Sequence, residues 1–404
     1  MDGKKWDLAA LAFIPLIMTL GNSMLIPVLP LIEKKINITG FQSSLLISIY
    51  SIVSIGLIPI AGFLSDRYGR KKIILPSLFL TGLGGLISGI AAWKMEDPYN
   101  VILLGRMIQG VGSSGAFPVV IPTVGDLFAK DSDISKGLGV IETSNTFGKV
   151  LSPILGSFLA TLIWFAPFLF IPLLSVTAML MVGMLVKLPA NNQTNKMSFK
   201  KFWHQIGSIL QQKGRWLYAI FFLGWVGMFV YFGILIYFTT VLENKFGIEA
   251  LTRGFIIAIP LLGLCITSFL VGEKMGKQKK LMKWIAFGGT MLTSGAMLVA
   301  AWQWKSLIVL ITIFVFAGIG IGALLPSLDA MITEGIEKEH RGTVTSLYSS
   351  MRLLGVALGS SFAALMLETS VKALFVILLA VGLVAGTVIL GAIKPKDDMQ
   401  AAKT

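Results

Sequence analysis

Apolar residues run through this chain in repeated blocks of about 20, separated by short polar stretches, a length that lets a helix cross a bilayer. Twelve such blocks are legible, at residues 8–31, 41–64, 73–92, 99–127, 137–161, 165–188, 216–240, 254–273, 282–302, 306–334, 342–367 and 371–393. In lipid the backbone has no water to bond, so each block is expected to be a helix that satisfies its own amides. The polar stretch 189–215 divides the blocks six and six. The expected organisation is an N-terminal bundle over 1–188, a central loop over 189–215 and a C-terminal bundle over 216–404. The loop contains an amphipathic piece (Phe199, Phe202, Trp203, Ile206, Ile209, Leu210), which reads equally as a surface-lying helix or a short linker helix. The opening "MDGKKWD" leads into an apolar block too long for a signal h-region and without a small-residue cleavage site, so the first helix is expected to be retained.

Composition supports a membrane protein. Only 13% of the 404 residues are charged, 55% are hydrophobic and the mean hydropathy is +0.82. The formal charge of +14 invites a nucleic-acid reading, but its distribution points elsewhere. With both termini cytoplasmic, 24 of the 34 basic residues fall on the cytoplasmic side and 7 outside, as the positive-inside rule requires. The single cysteine, Cys265, permits no internal disulfide or thiolate cluster. His204 and His340 lie far apart in polar loops, so neither a metal site nor an enzyme's catalytic constellation is expected.

The two halves carry an internal echo. "GVGSSGAFP" (110–118) and "GIGIGALLP" (318–326) align at an offset of 208, and "DRYGRKK" (66–72) and "EKMGKQK" (273–279) at 207. A parallel repeat of six helices, its halves related by a pseudo-two-fold axis along the membrane normal, is a known plan of secondary transporters.

Charged residues inside the apolar blocks are few, and burial of a charge in lipid is costly unless it is paired or hydrated, which makes Arg106 a functional candidate. The bases are Arg106, Lys149 and Arg352. Glu142 is the best-placed acid for exchanging a proton, with Lys149 or Arg106 as its partner or with a purely structural ion pair as the alternative. Asp329 is second and lies nearer the cytoplasmic end. Asp7 and Glu334, at block ends, are read as solvated. Arg106 reads either as a functional group or as a structural arginine bonded to backbone carbonyls of the first helix near Asn22. The small residues Gly139, Gly148, Ser152 and Gly156 around Pro153 would let helices approach closely. Helix seven, "FFLGWVGMFVYFGILIYF" (221–238), could supply cavity aromatics, of which Trp225 and Tyr231 are the candidates, or simply pack.

Four stretches together resemble the major facilitator superfamily, specifically its twelve-helix bacterial drug:proton antiporter family. "GFLSDRYGRK" (62–71) matches the loop pattern G-x-L-A-D-R-x-G-R-K with Ser65 for alanine. "LLGRMIQGVGSSG" (103–115) is similar to the helix-four motif, and "NSMLIPVLPLI" (22–32) to a helix-one proline pattern. Gly139, Gly148, Pro153 and Gly156 hold the antiporter spacing, with Ser152 and Ser157 replacing two of its glycines. The resemblance implies an all-α membrane fold, alternating access, and a proton gradient in place of any cofactor. It implies an inner-gate motif of Gly62, Asp66, Arg67, Gly69 and Arg70, with Asp66 and Arg70 latched to Asp126, and links Arg106 to proton transfer. Of these, Arg67 reads as a topology signal. The implied function is multidrug-type export of hydrophobic or amphipathic small molecules in exchange for protons across the bilayer of a bacterial cell; a monomer is expected, and no nucleic acid. A lipid or glycolipid flippase, or an exporter of one endogenous metabolite, fits the same motifs.

Overall fold

The computed structural model describes residues 4–128, 131–187, 199–275, 278–303, 305–336 and 338–394, and the described residues are almost entirely helical. The first span is broken: α1 (Lys5–Ser23) gives way to a 3-10 turn (Ile26–Val28) and then α2 (Leu29–Ile36). Pro27 and Pro30 lack the amide protons that a continuous helix would use there. Asn37, in the left-handed region at φ +51°, ends α2. Thr39 and Gln42 then open α3 (Gly40–Tyr68) with reciprocal side-chain-to-backbone bonds of 3.2 and 2.9 Å.

The remaining helices of the first half are α4 (Arg70–Lys94), α5 (Tyr99–Leu127), α6 (Asp131–Leu162) and α7 (Ala166–Leu185). The second half holds α8 (Phe199–Asn244), α9 (Ala250–Met275), α10 (Lys279–Trp302), α11 (Leu307–Gly335), α12 (Lys338–Thr369) and α13 (Val371–Ala392). Eleven spans among the described residues are long and apolar enough to cross a membrane. The twelfth is α6, whose apolar run is diluted by Glu142, Lys149 and hydroxyl residues. The amphipathic piece of the central loop is helical in its backbone and forms the first part of α8, which breaks at Gly214 (φ +44°). Most of its side chains, with His204, His340, Glu334 and the 273–277 part of the second-half echo, lie outside the described residues.

The chain forms two six-helix bundles, and their contacts repeat. In the first, α5 packs on α3 and α4, and α4 on α7; in the second, α11 packs on α9 and α10, and α10 on α13. The aligned glycines explain the equivalence. A Cβ at Gly110 would sit 2.6 Å from the Tyr50 carbonyl of α3, and one at Gly318 would sit 2.3 Å from the Pro260 carbonyl of α9. Two residues on, Gly112 and Gly320 would each collide at 2.3 Å with a threonine hydroxyl, of Thr81 in α4 and Thr293 in α10. Backbones this close leave no room for a side chain.

The halves meet along two seams, α3 with α12 and α6 with α9, which the repeat makes equivalent. Ser48 Oγ donates to the Ala357 carbonyl at 2.9 Å on one seam. On the other, a Cβ at Gly254 would lie 2.4 Å from the Pro153 carbonyl. Exposed Phe79, Leu86, Leu173, Leu180, Ile266, Phe269 and Leu383 cover the outside of the bundles, the surface expected to meet lipid tails.

Asp7 corrects one expectation. It is buried rather than solvated and accepts the Lys187 amide at 2.7 Å, tying the start of α1 to the end of α7.

Candidate functional site

Between the halves lies a cavity of about 270 Å³. Its lining runs from mid-span residues such as Asn22, Tyr50 and Val356 toward the helix ends where α1 begins and α13 ends, including Ile58 of α3, Phe117 of α5, Leu138 of α6, Ile332 of α11 and Thr345 of α12. The opposite end of the bundle is closed by a charged bridge: Glu243 of α8 pairs with Lys34 of α2 at 2.5 Å and with the buried Arg253 of α9. A second cavity of about 360 Å³, lined by Glu33, Ser43, Thr239 and Glu368 among others, lies beside that bridge.

Four charged residues face the central cavity, two from each half: Glu142 and Lys149 of α6, and Asp329 of α11 with Arg352 of α12. Seven residues separate Glu142 from Lys149, which is two helical turns, so both lie on one face with Asn145 between them. The amide of Asn145 donates to Glu142 Oε1 at 3.2 Å, and Thr19 of α1 donates to Asn145 Oδ1 at 2.6 Å. Across the cavity, Arg352 Nη1 reaches Asp329 Oδ1 at 3.4 Å, and its guanidinium lies 5.6 Å from the Tyr348 ring. The two pairs also act on one another electrostatically. Glu142 and Asp329 therefore belong to one site although 187 positions separate them.

Arg106 is fully buried and does not line the cavity. It donates from Nε to the Leu46 carbonyl at 2.7 Å, from Nη1 to the Gly21 carbonyl at 3.2 Å and to Gln109, and from Nη2 to Asn22 Oδ1 at 2.6 Å. The Tyr50 ring lies 4.8 Å from its guanidinium. Arg106 thus pins α1 and α3 to α5 through neutral acceptors and is not the ion partner of Glu142. Asn22 and Tyr50 stand between it and the cavity, and both line it.

Of the proposed cavity aromatics, Tyr231 lines the cavity and Trp225 does not. Trp225 stacks on Phe229 at 5.3 Å inside the second bundle. The rings that do line the cavity include Tyr50, Phe117, Phe232 and Tyr348. Sequence reasoning missed Tyr348, Asn145 and Arg352 as site residues. Only Arg352 left a signal, as a base inside an apolar block.

The charged turn between α3 and α4 is assembled as a latch. Gly69 adopts φ +101°, a conformation that residues with a Cβ avoid, and this swings Arg70 back under α3. Arg70 Nε donates to Asp126 Oδ2 at 2.9 Å and Nη1 to Ser65 Oγ at 2.8 Å, and Nη1 also pairs with Asp66. All three charges belong to the first half, so the latch does not itself bridge the halves. Arg67 stays exposed over the Tyr68 ring. Lys71 caps α7 by donating to the Gly183 and Val186 carbonyls. Gly62 faces α12, where a Cβ would meet Ser346 Oγ at an unstrained 3.7 Å, so tight packing does not require glycine there.

The small residues of α6 divide in the same way. A Cβ at Gly156 would lie 2.1 Å from the Met24 carbonyl and one at Gly148 would lie 3.2 Å from Thr19, both at the α1 interface. Ser152 Oγ donates to the Gly148 carbonyl at 2.6 Å, and Pro153 meets α9. Gly139 faces open space, contrary to a close-packing role.

The profile of the Major Facilitator Superfamily matches residues 11–359, and again 286–403. The chain belongs to the Major Facilitator Superfamily. Within this superfamily it is 49% identical over 362 residues to the bacillibactin exporter of Bacillus subtilis (strain 168), covering 89% of this chain and 90% of that protein. Multidrug resistance protein 2 of the same organism is 23% identical over 382 residues, covering 90% of each. Among solved structures, the human organic anion transporter MFSD10 superposes with a TM-score of 0.74 at 17% identity, covering 96% of this chain and 99% of that one. A bacterial homolog of the human lysosomal transporter Spinster also gives 0.74, at 14% identity over 95% of this chain and 96% of that one. At such low identities these two speak for the superfamily fold alone. As a member of this superfamily the chain is a multi-pass membrane transporter of a small molecule.

Proposed function

We propose that this transporter exports one endogenous metabolite, bacillibactin or a molecule close to it, from a bacterial cell in exchange for protons. The observation that carries the cargo is the 49% identity to the bacillibactin exporter over nearly the whole chain, about twice that to the multidrug proteins. The cavity is consistent with it. Charged groups from both halves face a single space, which suits a polar cargo better than a purely hydrophobic one.

Glu142 and Asp329 are the groups that would take the proton, since each is a carboxylate that lines the cavity. Protonating either changes the balance of charge felt by the facing pair in the other half, which gives proton binding a path to the seams between the bundles. The basic side of the chain, with both termini, is cytoplasmic in this reading. Broad multidrug efflux is the second reading, favoured by the aromatic part of the lining and the 23% relatives.

The test is transport into inside-out vesicles with an acidified lumen. Wild-type protein accumulates bacillibactin against its gradient, and Glu142→Gln abolishes accumulation while leaving downhill exchange. If the variant still concentrates cargo, the coupling assignment is wrong. If bacillibactin is not moved while unrelated cationic dyes are, the drug-pump reading replaces the proposed one.

A further inference from the structure

Lys149 stands apart from the other charges of the central cavity. Arg352 is paired with Asp329, and Glu142 accepts from the Asn145 amide. Even Arg106, behind the wall, donates from each of its nitrogens. The Lys149 side chain is on a residue only 8% exposed, and it lines the cavity. Among the described residues, its ammonium has no acceptor at hydrogen-bond distance and no carboxylate at ion-pair distance. An ammonium carries three donors, and removing it from water without acceptors costs several kcal/mol. Arg352, Glu142 and Asp329 act on it only from further off. The same cavity is lined by the rings of Phe117, Tyr231 and Phe232.

We propose that Lys149 is the anchor for an oxyanion of the cargo, and that the cargo class is an anion on an aromatic body. The carboxylate or phenolate oxygen accepts from the ammonium, and the aromatic body packs on the rings. This deepens the export reading and rests on the central cavity being where cargo binds. The charges of Glu142, Lys149, Asp329 and Arg352 cancel when all are ionised, so a bound monoanion leaves the loaded cavity with one net negative charge. Outward movement of that complex is then assisted by a membrane potential negative inside.

The experiment uses a matched pair of probes, 2-naphthoate and 2-naphthylmethylammonium, which share a ring system and differ in charge. Binding to the full-length protein in lipid nanodiscs is measured by equilibrium dialysis for wild type, Lys149→Gln and Lys149→Arg. A hydrogen bond to a charged group contributes about 1.5–3 kcal/mol, so Lys149→Gln weakens naphthoate roughly 10- to 150-fold. Lys149→Arg holds naphthoate within about threefold, and the ammonium probe binds Lys149→Gln at least as tightly as wild type, which also reports an intact cavity. The proposal is overturned if wild type does not bind naphthoate, if Lys149→Gln binds it as tightly as wild type, or if Lys149→Gln loses both probes alike. Bacillibactin transport is followed in proteoliposomes of the same proteins. Naphthoate anchoring without bacillibactin transport sinks the cargo identity and leaves the anchor standing; bacillibactin transport with naphthoate binding indifferent to Lys149 sinks the anchor alone.

Discussion

The bridge at the closed end of the bundle has two arms of different kind, and cutting each gives a different result. Glu243 meets Lys34 across the halves and Arg253 within the second half. The Lys34 side chain is 63% exposed, so its ion pair is solvated and worth about 0.2–1 kcal/mol. Arg253 is 1% exposed, and removing the carboxylate from a buried guanidinium costs about 3–5 kcal/mol. Lys34→Ala therefore shifts the open-to-closed ratio of this end by roughly 1.4- to 5-fold and leaves thermal stability near that of wild type. Glu243→Ala destabilises the second bundle itself and lowers the melting temperature by several degrees. The assay is a distance distribution between spin labels at Lys35→Cys and Lys305→Cys, both exposed and on opposite halves, with Cys265 replaced by serine. A melting scan of the same proteins completes it. If Lys34→Ala lowers the melting point as much as Glu243→Ala, or leaves the distance distribution unchanged while Glu243→Ala leaves stability unchanged, the division into a gate arm and a structural arm is refuted.

Two further outcomes follow from the packing. Gly156→Ala places a Cβ 2.1 Å from the Met24 carbonyl and should cost about 1–3 kcal/mol in a melting assay, whereas Gly139→Ala, in open space on a helix, should be neutral or stabilise by about 0.5–1 kcal/mol; equal effects would mean that α1 and α6 are not this close. Asp66→Asn weakens a latch whose aspartate side chain is 53% exposed, worth about 0.2–1 kcal/mol, so transport should slow by no more than a few-fold with an unchanged order of competing cargos; a changed order would place Asp66 in cargo selection.

Fold was more legible than site. A bilayer forces every backbone group in a span to bond within its own helix, so block length alone carries the count, and the glycine echo at 110–118 and 318–326 carries the repeat. The α3–α4 turn was equally readable, because Gly69 and Arg70 act on neighbours four or five residues away, with Asp126 the one distant partner. Trp225 and Tyr231 show the limit. Both lie on one aromatic helix, and only the rotation of α8 against α12 turns Tyr231 to the cavity and Trp225 into the bundle. Gly62 and Gly139 show the same limit for small residues, since a spacing pattern cannot tell which glycine has a neighbour.

The sequence by itself determined that the chain spans a membrane as two related sets of six helices, because hydrophobic length, backbone satisfaction and the positions of glycines are local properties. It also determined which charges stand inside those spans. Only the tertiary structure decided what each of them does. Arg106 is saturated by carbonyls behind the wall, Arg352 joins Asp329, and Lys149 is left, among the described residues, without an acceptor in the shared space. Those assignments depend on contacts between helices far apart in the chain, and on distances of an ångström or two that no spacing along one helix encodes.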